Sequence, residues 1–232
     1  MFKPSGSAVA RLEAPQKPAL QPSPGLARRG YHFFKRLIDV AVGLPLFLLT
    51  LPLQFLIAML IRFESPGPAL YRQQRLTVGE RPFIFIKFRT MYVDARQRFP
   101  ELYDYQAIAA NGGLAPLKSK DDPRVTTYGR WLRKSSLDEL PNLWNVIRGE
   151  MSLVGPRPET PELLDCYSDE QRLIFQVSPG VTGLAQCFGR NRLTVAETIA
   201  LDLDYARTAS FSLDLKILLR TIWQVLRGAD AF

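Results

Sequence analysis

The stretch Leu37–Ile61, LIDVAVGLPLFLLTLPLQFLIAMLI, constrains the fold of this 232-residue chain more than any other. A straight helix of that length crosses ~30 Å of hydrocarbon. Three features argue against a plain span. Pro45 and Pro52 each remove a helix hydrogen bond and bend the helix. Asp39 and Gln54 are costly inside lipid. Basic residues flank both ends, Arg28, Arg29, Lys35 and Arg36 before the run and Arg62, Arg72 and Arg75 after it, so the positive-inside rule assigns no orientation. A helix bent near Pro52, entering and leaving one leaflet with both ends cytoplasmic, accommodates all three. The expectation is a re-entrant, monotopic anchor; a single span and a buried core helix are the alternatives.

The rest of the composition narrows the chemistry. A net charge of +8 points to an anionic partner: nucleic acid, anionic lipid or a phosphorylated substrate. Nucleic-acid binding explains the charge but not the apolar run. Cys166 and Cys187 lack CxxC spacing, so neither a zinc site nor a disulfide framework is indicated. His32 is the single histidine, which leaves acid–base or covalent chemistry to carboxylates, Lys, Tyr, Ser or Thr. Residues 1–29 carry Pro4, Pro15, Pro18, Pro22 and Pro24 among basic residues and no hydrophobic period, and read as a disordered tail attracted to anionic lipid.

After the apolar run, Glu64-Ser65-Pro66-Gly67-Pro68 breaks the helix and Ala69–Tyr71 reads as a short strand. Arg81–Met91 alternates, with Phe83, Phe85, Lys87 and Arg89 on one side, which predicts a strand. Lys87 and Arg89 emerge together, either as a solvated face or as a phosphate contact. Tyr92–Ala110 is expected to be helical, closed by Asn111-Gly112-Gly113, and Lys118–Arg124 to be a solvated loop. Glu159–Phe175 and Thr194–Tyr205 read as helices, with a Gly-rich loop, Ser178–Asn191, between them. Ser212–Arg227 is an amphipathic basic helix suited to a membrane interface, with core packing as the alternative.

The chemistry concentrates in Lys134–Pro158. Asp138 and Glu139 are adjacent, so their side chains diverge by about 100° on a helix. One can face a substrate while the other faces a metal or the backbone. The bland reading is a capping box from Ser136 to Glu139. Pro141 fits only a first turn or a kink, which puts the acids at an irregular junction. A rigid Pro156-Arg157-Pro158 turn follows.

These residues resemble the monotopic bacterial phosphoglycosyl transferases, or bacterial sugar transferases. The likeness rests on KRLIDV (Lys35–Val40), SPGPALYRQQR (Ser65–Arg75), FIKFRTM (Phe85–Met91), the Asp121–Glu159 block with its SLDELPNLWNV and GEMSLVGPRP segments, and PGVTGLAQCFGR (Pro179–Arg190). It covers roughly Tyr31 to Gly228. The resemblance implies transfer of a sugar 1-phosphate from a uridine diphosphate sugar to polyprenol (undecaprenyl) phosphate with release of UMP, the first membrane step of a bacterial surface glycan. It implies Asp138 as covalent nucleophile, Glu139 in Mg2+ binding beside it, and Arg133 and Arg157 on substrate phosphates, with Lys87 and Arg190 as weaker candidates. It places the enzyme at the cytoplasmic face of the bacterial inner membrane.

Two departures stand out. Small family members bend their anchor at Ser-Pro, where this chain has Leu51-Pro52; the usual GWAQV reads Gly183-Leu184-Ala185-Gln186-Cys187 here. The expected architecture is α+β and mostly helical: a tail at 1–30, a helix-break-helix anchor at 31–63 kinked at Pro52, and a cytosolic catalytic domain at 64–232 with a short sheet and interfacial amphipathic helices. The Pro-rich tail in place of further N-terminal helices fits a minimal catalytic form. A catalytically silent membrane scaffold and a one-step transfer without an intermediate are the competing readings. Dimerisation and the identity of the sugar are not legible.

Overall fold

The computed structural model describes residues 25–103, 122–188 and 193–227. It is mostly helical, with two small sheets. Helix α1, Gly25–Glu64, runs for 40 residues, about 60 Å at a regular rise. Among the described residues it is the one helix long and apolar enough to cross a membrane, by length and composition. It begins at Gly25, inside the stretch expected to be tail; residues 1–24 lie outside the described residues.

The helix is unbroken through Pro45 and Pro52, which corrects the expected helix-break-helix to one helix. A proline removes a single ladder bond, and here Pro45 is flanked by Gly43 and Phe47, which pack on Val146 and Trp144. Buried positions on α1 recur every three or four residues: Lys35, Asp39, Gly43, Gln54, Ile57 and Ile61. This stripe lies against the domain. Gly43 leaves room for the Val146 side chain, and Phe47 packs on Trp144 with ring centroids 5.8 Å apart. Ile57 and Ile61 join Phe88 and Leu132 in a core cluster. The polar residues that looked costly in lipid belong to this stripe. Asp39 accepts from the Ser152 hydroxyl at 3.0 Å and the Leu153 amide at 2.9 Å, and Gln54 donates to Thr50 at 3.0 Å. The remaining faces expose Leu37, Val42, Leu48, Leu49, Phe55 and Phe63.

Strands β1 (Leu70–Thr77) and β2 (Arg81–Phe88) form an antiparallel hairpin in which Tyr71 stands opposite Lys87. The predicted β2 alternation holds, with Phe83 and Phe85 buried in the main core and Ile84 exposed. β1 is longer than the three residues expected. Arg89 does not face a phosphate site: its guanidinium donates to the carbonyls of Pro66 (2.6 Å) and Ser65 (2.8 Å) just past the end of α1, satisfying acceptors the helix leaves open.

Of the helix expected over Tyr92–Ala110, the described part up to Tyr103 holds the short helix α2, Ala95–Arg98, and a 3-10 turn, Pro100–Tyr103; Pro100 cannot donate to a helix continuing from α2. Residues 104–121, including the Asn111-Gly112-Gly113 turn, lie outside the described residues. The end of the Lys118–Arg124 loop is not solvated: Asp122 and Arg124 form a buried ion pair at 2.8 Å. Helix α3, Thr127–Ser135, is capped by Thr126, whose hydroxyl accepts from Gly129 N–H. Helix α4, Asn142–Arg148, locks onto β2 through Asn145, which donates to Ile84 O (2.8 Å) and accepts from Ile86 N–H (3.3 Å). Strand β3 (Ser152–Val154) pairs parallel with β4 (Gly180–Thr182).

Glu159–Phe175 forms two 3-10 turns, Pro161–Cys166 and Gln171–Gln176, instead of a helix; Pro161 and the Ser168-Asp169 pair interrupt it. The Gly-rich loop is β4 followed by the short helix α5, Leu184–Phe188. Its glycines serve close packing: a Cβ on Gly180 or Gly183 would meet Gly155 backbone at 2.1 Å. Helix α6, Val195–Thr208, opens on a Thr194–Glu197 capping box, and α7 is Phe211–Arg227. α7 buries Asp214 and Ile217 while exposing Leu215, Leu219 and Ile222, so it presents both a core face and an apolar outer face.

Candidate active site

The two acids sit between α3 and α4, where the chain cannot stay helical. Ser136 takes a left-handed conformation (φ 57°) that ends α3, and Leu137–Glu139 forms one 3-10 turn before Leu140 and Pro141 start α4. Ser136 makes no side-chain cap, so the capping-box reading is wrong: its backbone is committed to closing the preceding helix.

The turn separates the acids. Asp138 points inward and is 8% exposed, while Glu139 pairs with Arg157 at 3.2 Å. No hydrogen bond to the Asp138 carboxylate is found among the described residues. Burial raises its pKa to about 6, and the neighbouring Glu139 pushes the same way. Lys87, Arg157 and Arg133 oppose that rise, so three of the sequence-predicted cations act electrostatically on this carboxylate. Burial lowers the Lys87 pKa, and Asp138 is the strongest charge opposing that fall. The Lys87 ammonium also lies 5.8 Å from the Tyr71 ring centroid, and Arg133 Nε donates to the Thr90 hydroxyl at 3.0 Å. Arg190 lies outside the described residues.

Arg157 is held by its surroundings as well as by its prolines. Gly180 N–H donates to Pro156 O at 2.7 Å, Arg75 to Pro158 O at 2.8 Å, and Leu76 N–H to Glu159 O at 2.9 Å. Asp202 of α6 is buried; burial raises its pKa to about 7, with Glu159 adding to the rise and Arg157 opposing it. Sequence reasoning missed Asp202, whose one signal was an acid on the inner face of α6. It also missed Asn142, fully buried four residues after Asp138 with neither side-chain polar atom partnered, and Tyr71 beside Lys87.

The arrangement can bind a polyanion and attack it. Three cations converge on a carboxylate that is uncharged in acid and ionised above its raised pKa. The two acids suit a hard divalent cation held jointly with phosphate oxygens, the mode magnesium favours. Among the described residues no cluster of three or more His, Cys, Asp or Glu forms an all-protein cage.

The chain matches the bacterial sugar transferase family over residues 30–228. It is 41% identical to the UDP-glucose:undecaprenyl-phosphate glucose-1-phosphate transferase of Caulobacter vibrioides, over 92% of this chain and 77% of that protein. It is 36% identical to the exopolysaccharide production protein ExoY of Sinorhizobium fredii, over 93% of each. It is 36% identical to the undecaprenyl-phosphate galactose phosphotransferase of Salmonella typhimurium, over 89% of this chain but 43% of that longer protein. The chain therefore belongs to the bacterial sugar transferase family.

Proposed function

We propose that this protein transfers a sugar 1-phosphate from a UDP-sugar to undecaprenyl phosphate, through a covalent phosphosugar on Asp138. The observation that carries the reading is the setting of Asp138: a buried carboxylate without a hydrogen-bond partner among the described residues, next to the Glu139–Arg157 ion pair and under the charges of Lys87, Arg157 and Arg133. An Asp138 oxygen attacks the sugar-bearing phosphorus, the bond to the UMP oxygen breaks, and UMP leaves with that electron pair. An oxygen of the acceptor phosphate then attacks the same phosphorus, the Asp138 carboxylate is released, and polyprenol diphosphate sugar forms. Arg157 and Arg133 present guanidinium forks to the diphosphate oxygens, and Lys87 supplies a compact charge beside the nucleophile. Asp138 and Glu139 would hold magnesium against the diphosphate, where it supplies neutralisation of the charge that opposes attack.

The site sits at the cytoplasmic face of the inner membrane, with α1 entering one leaflet as a continuous helix bent at its prolines, so that both ends return to that face. Support comes from the contacts at its two ends. Lys35, near the start of the apolar run, pairs with Asp214 at 2.7 Å, and Glu64, at the end of α1, accepts from the Thr127 amide at 2.6 Å, so both flanks of the run contact the catalytic domain. The apolar outer faces of α1 and α7 and flanking basic residues match an anionic lipid surface.

The test is UMP release by the full chain in a bilayer, with magnesium, undecaprenyl phosphate and a panel of UDP-sugars, followed by mass spectrometry of the quenched enzyme. Release with one or two sugars and a phosphosugar on Asp138 is expected. Release without an adduct in rapid-quench samples assigns direct transfer, and silence across the panel overturns the transferase reading.

A further inference from the structure

Beside the site runs a groove of about 1100 Å³, formed where the last turns of α1 meet the start of β1. It lies past the upper end of the roughly 300–1,000 Å³ typical of small-ligand pockets, and it is open along one side. Phe55, Met59, Phe63 and Leu70 line it, and among the described residues the charged ones on its walls are Arg62 and Arg72. An apolar trough with two cations does not suit a uridine or a sugar, which need hydrogen-bond partners. It suits a long hydrocarbon ending in a phosphate.

The position argues the same way. Phe55, Met59, Arg62 and Phe63 belong to the apolar helix, and Phe55 and Phe63 are among the residues it leaves exposed. A lipid lying along α1 reaches the groove without leaving an apolar surface. Tyr71, itself on the groove wall, stands directly opposite Lys87 in the hairpin, and the Lys87 ammonium lies 5.8 Å from its ring centroid. Lys87 is in turn the strongest cation acting on Asp138. The groove therefore leads, through one tyrosine and one lysine, to the attacking carboxylate.

We propose that this groove holds the isoprenoid chain next to the phosphate of the acceptor, with Arg62 and Arg72 guiding the phosphate and Tyr71 and Lys87 passing it to Asp138. The proposal rests on the transferase reading above and adds to it where the second substrate enters. A phosphate monoester carries a charge near −1.5 to −2 at neutral pH, a better match to paired arginines than the single charge of a phospholipid diester.

The experiment uses the full chain in phospholipid nanodiscs. Met59→Trp and Leu70→Trp fill the trough, and Arg72→Glu reverses one guiding charge. Each is expected to raise the KM for polyprenol phosphate at least tenfold, leaving the KM for the UDP-sugar and the acceptor-free burst of UMP unchanged. An unaltered acceptor KM, or a burst that falls in parallel, overturns the groove assignment. A wild-type enzyme with no burst counts against the covalent step alone, because the acceptor KM is still measurable under direct transfer. A second measurement does not depend on turnover: photolabelling with a diazirine-bearing polyprenol phosphate. Label on peptides spanning residues 55–63 and 68–72, displaced by polyprenol phosphate but not by phosphatidylglycerol, is the expected result. Label elsewhere, or equal displacement by phosphatidylglycerol, identifies an ordinary lipid seat and overturns the proposal.

Discussion

Two regions of this molecule bury carboxylates, and they treat them in opposite ways. Where α1 and α7 meet, Asp214 accepts from Lys35 at 2.7 Å, from the Tyr31 hydroxyl at 2.8 Å and from the Tyr205 hydroxyl at 2.7 Å. Asp39, one turn along α1, is likewise bonded to Ser152 and Leu153. At the junction between α3 and α4, Asp138 is as buried but, among the described residues, has the charges of Lys87, Arg157 and Arg133 acting on it and no hydrogen-bond donor. The first arrangement fastens the apolar helix to the domain. The second leaves charge poorly solvated and ready to be covered by a substrate. A fully partnered carboxylate is a poor nucleophile because its lone pairs are occupied; the contrast separates anchoring from chemistry.

The largest effect is expected at Asp138. Asp138→Asn removes the nucleophile and should lower turnover by at least about a thousandfold. The same change should stabilise the fold at neutral pH. The carboxyl has a raised folded-state pKa of about 6, so its ionisation opposes folding. That penalty, on the order of 3 kcal/mol, is full above pH 6 and fades as pH falls toward the unfolded value near 4. Unfolding measured at pH 8 and pH 4 checks both halves: an asparagine variant no more stable than wild type at pH 8 would mean the junction solvates Asp138 after all. Lys35→Met makes the opposite case. Stranding Asp214 should destabilise by about 3–5 kcal/mol, and Lys35→Met with Asp214→Asn should recover part of the loss. A loss under about 1 kcal/mol would reduce this pair to an incidental contact.

The contrast also explains what the sequence disclosed. Pro141 placed the acids at an irregular junction, and the alternation of β2 placed Lys87 on the side that reaches them. Those signals are local. Arg89 shares the Lys87 face by alternation, yet it turns to carbonyls beyond the end of α1, and nothing in the period of a strand says what lies under its edge. Ser136 looked like a cap because Glu139 follows at the right spacing. The competing demand, a left-handed residue to end α3, shows only once α3 has been placed. The polar residues of the apolar run were read as a liability in lipid. Lys35, Asp39 and Gly43 at four-residue spacing, followed by Gln54, Ile57 and Ile61, form one helical stripe, legible in principle as a domain-facing side. The groove was not legible, since it arises from an end of α1 and an edge of β1 brought together by the hairpin.

The pH dependence of the donor step sharpens the comparison further. UMP release without acceptor should fall as pH drops through about 6, because Asp138 takes up the proton that ends its nucleophilicity. Lys87 holds that pKa down, so Lys87→Met should move the acid limb to higher pH and slow the step roughly a hundredfold at neutral pH. An unmoved limb would mean that Lys87 acts on substrate alone.

The smallest effect is expected on the domain-facing stripe, where polar character carries no chemistry. Gln54 donates to the Thr50 hydroxyl, and that hydroxyl itself donates back to Leu46 O at 2.8 Å. Gln54→Leu removes a donor without stranding its acceptor, since a hydroxyl already engaged as donor tolerates the loss. Leucine keeps most of the volume against the domain. The change in unfolding free energy should stay under about 1 kcal/mol, with turnover unaltered. A loss above about 2 kcal/mol would show that Gln54 answers a polar group on the domain, and the stripe near Pro52 would then resemble the Asp214 clamp more than a simple packing seam.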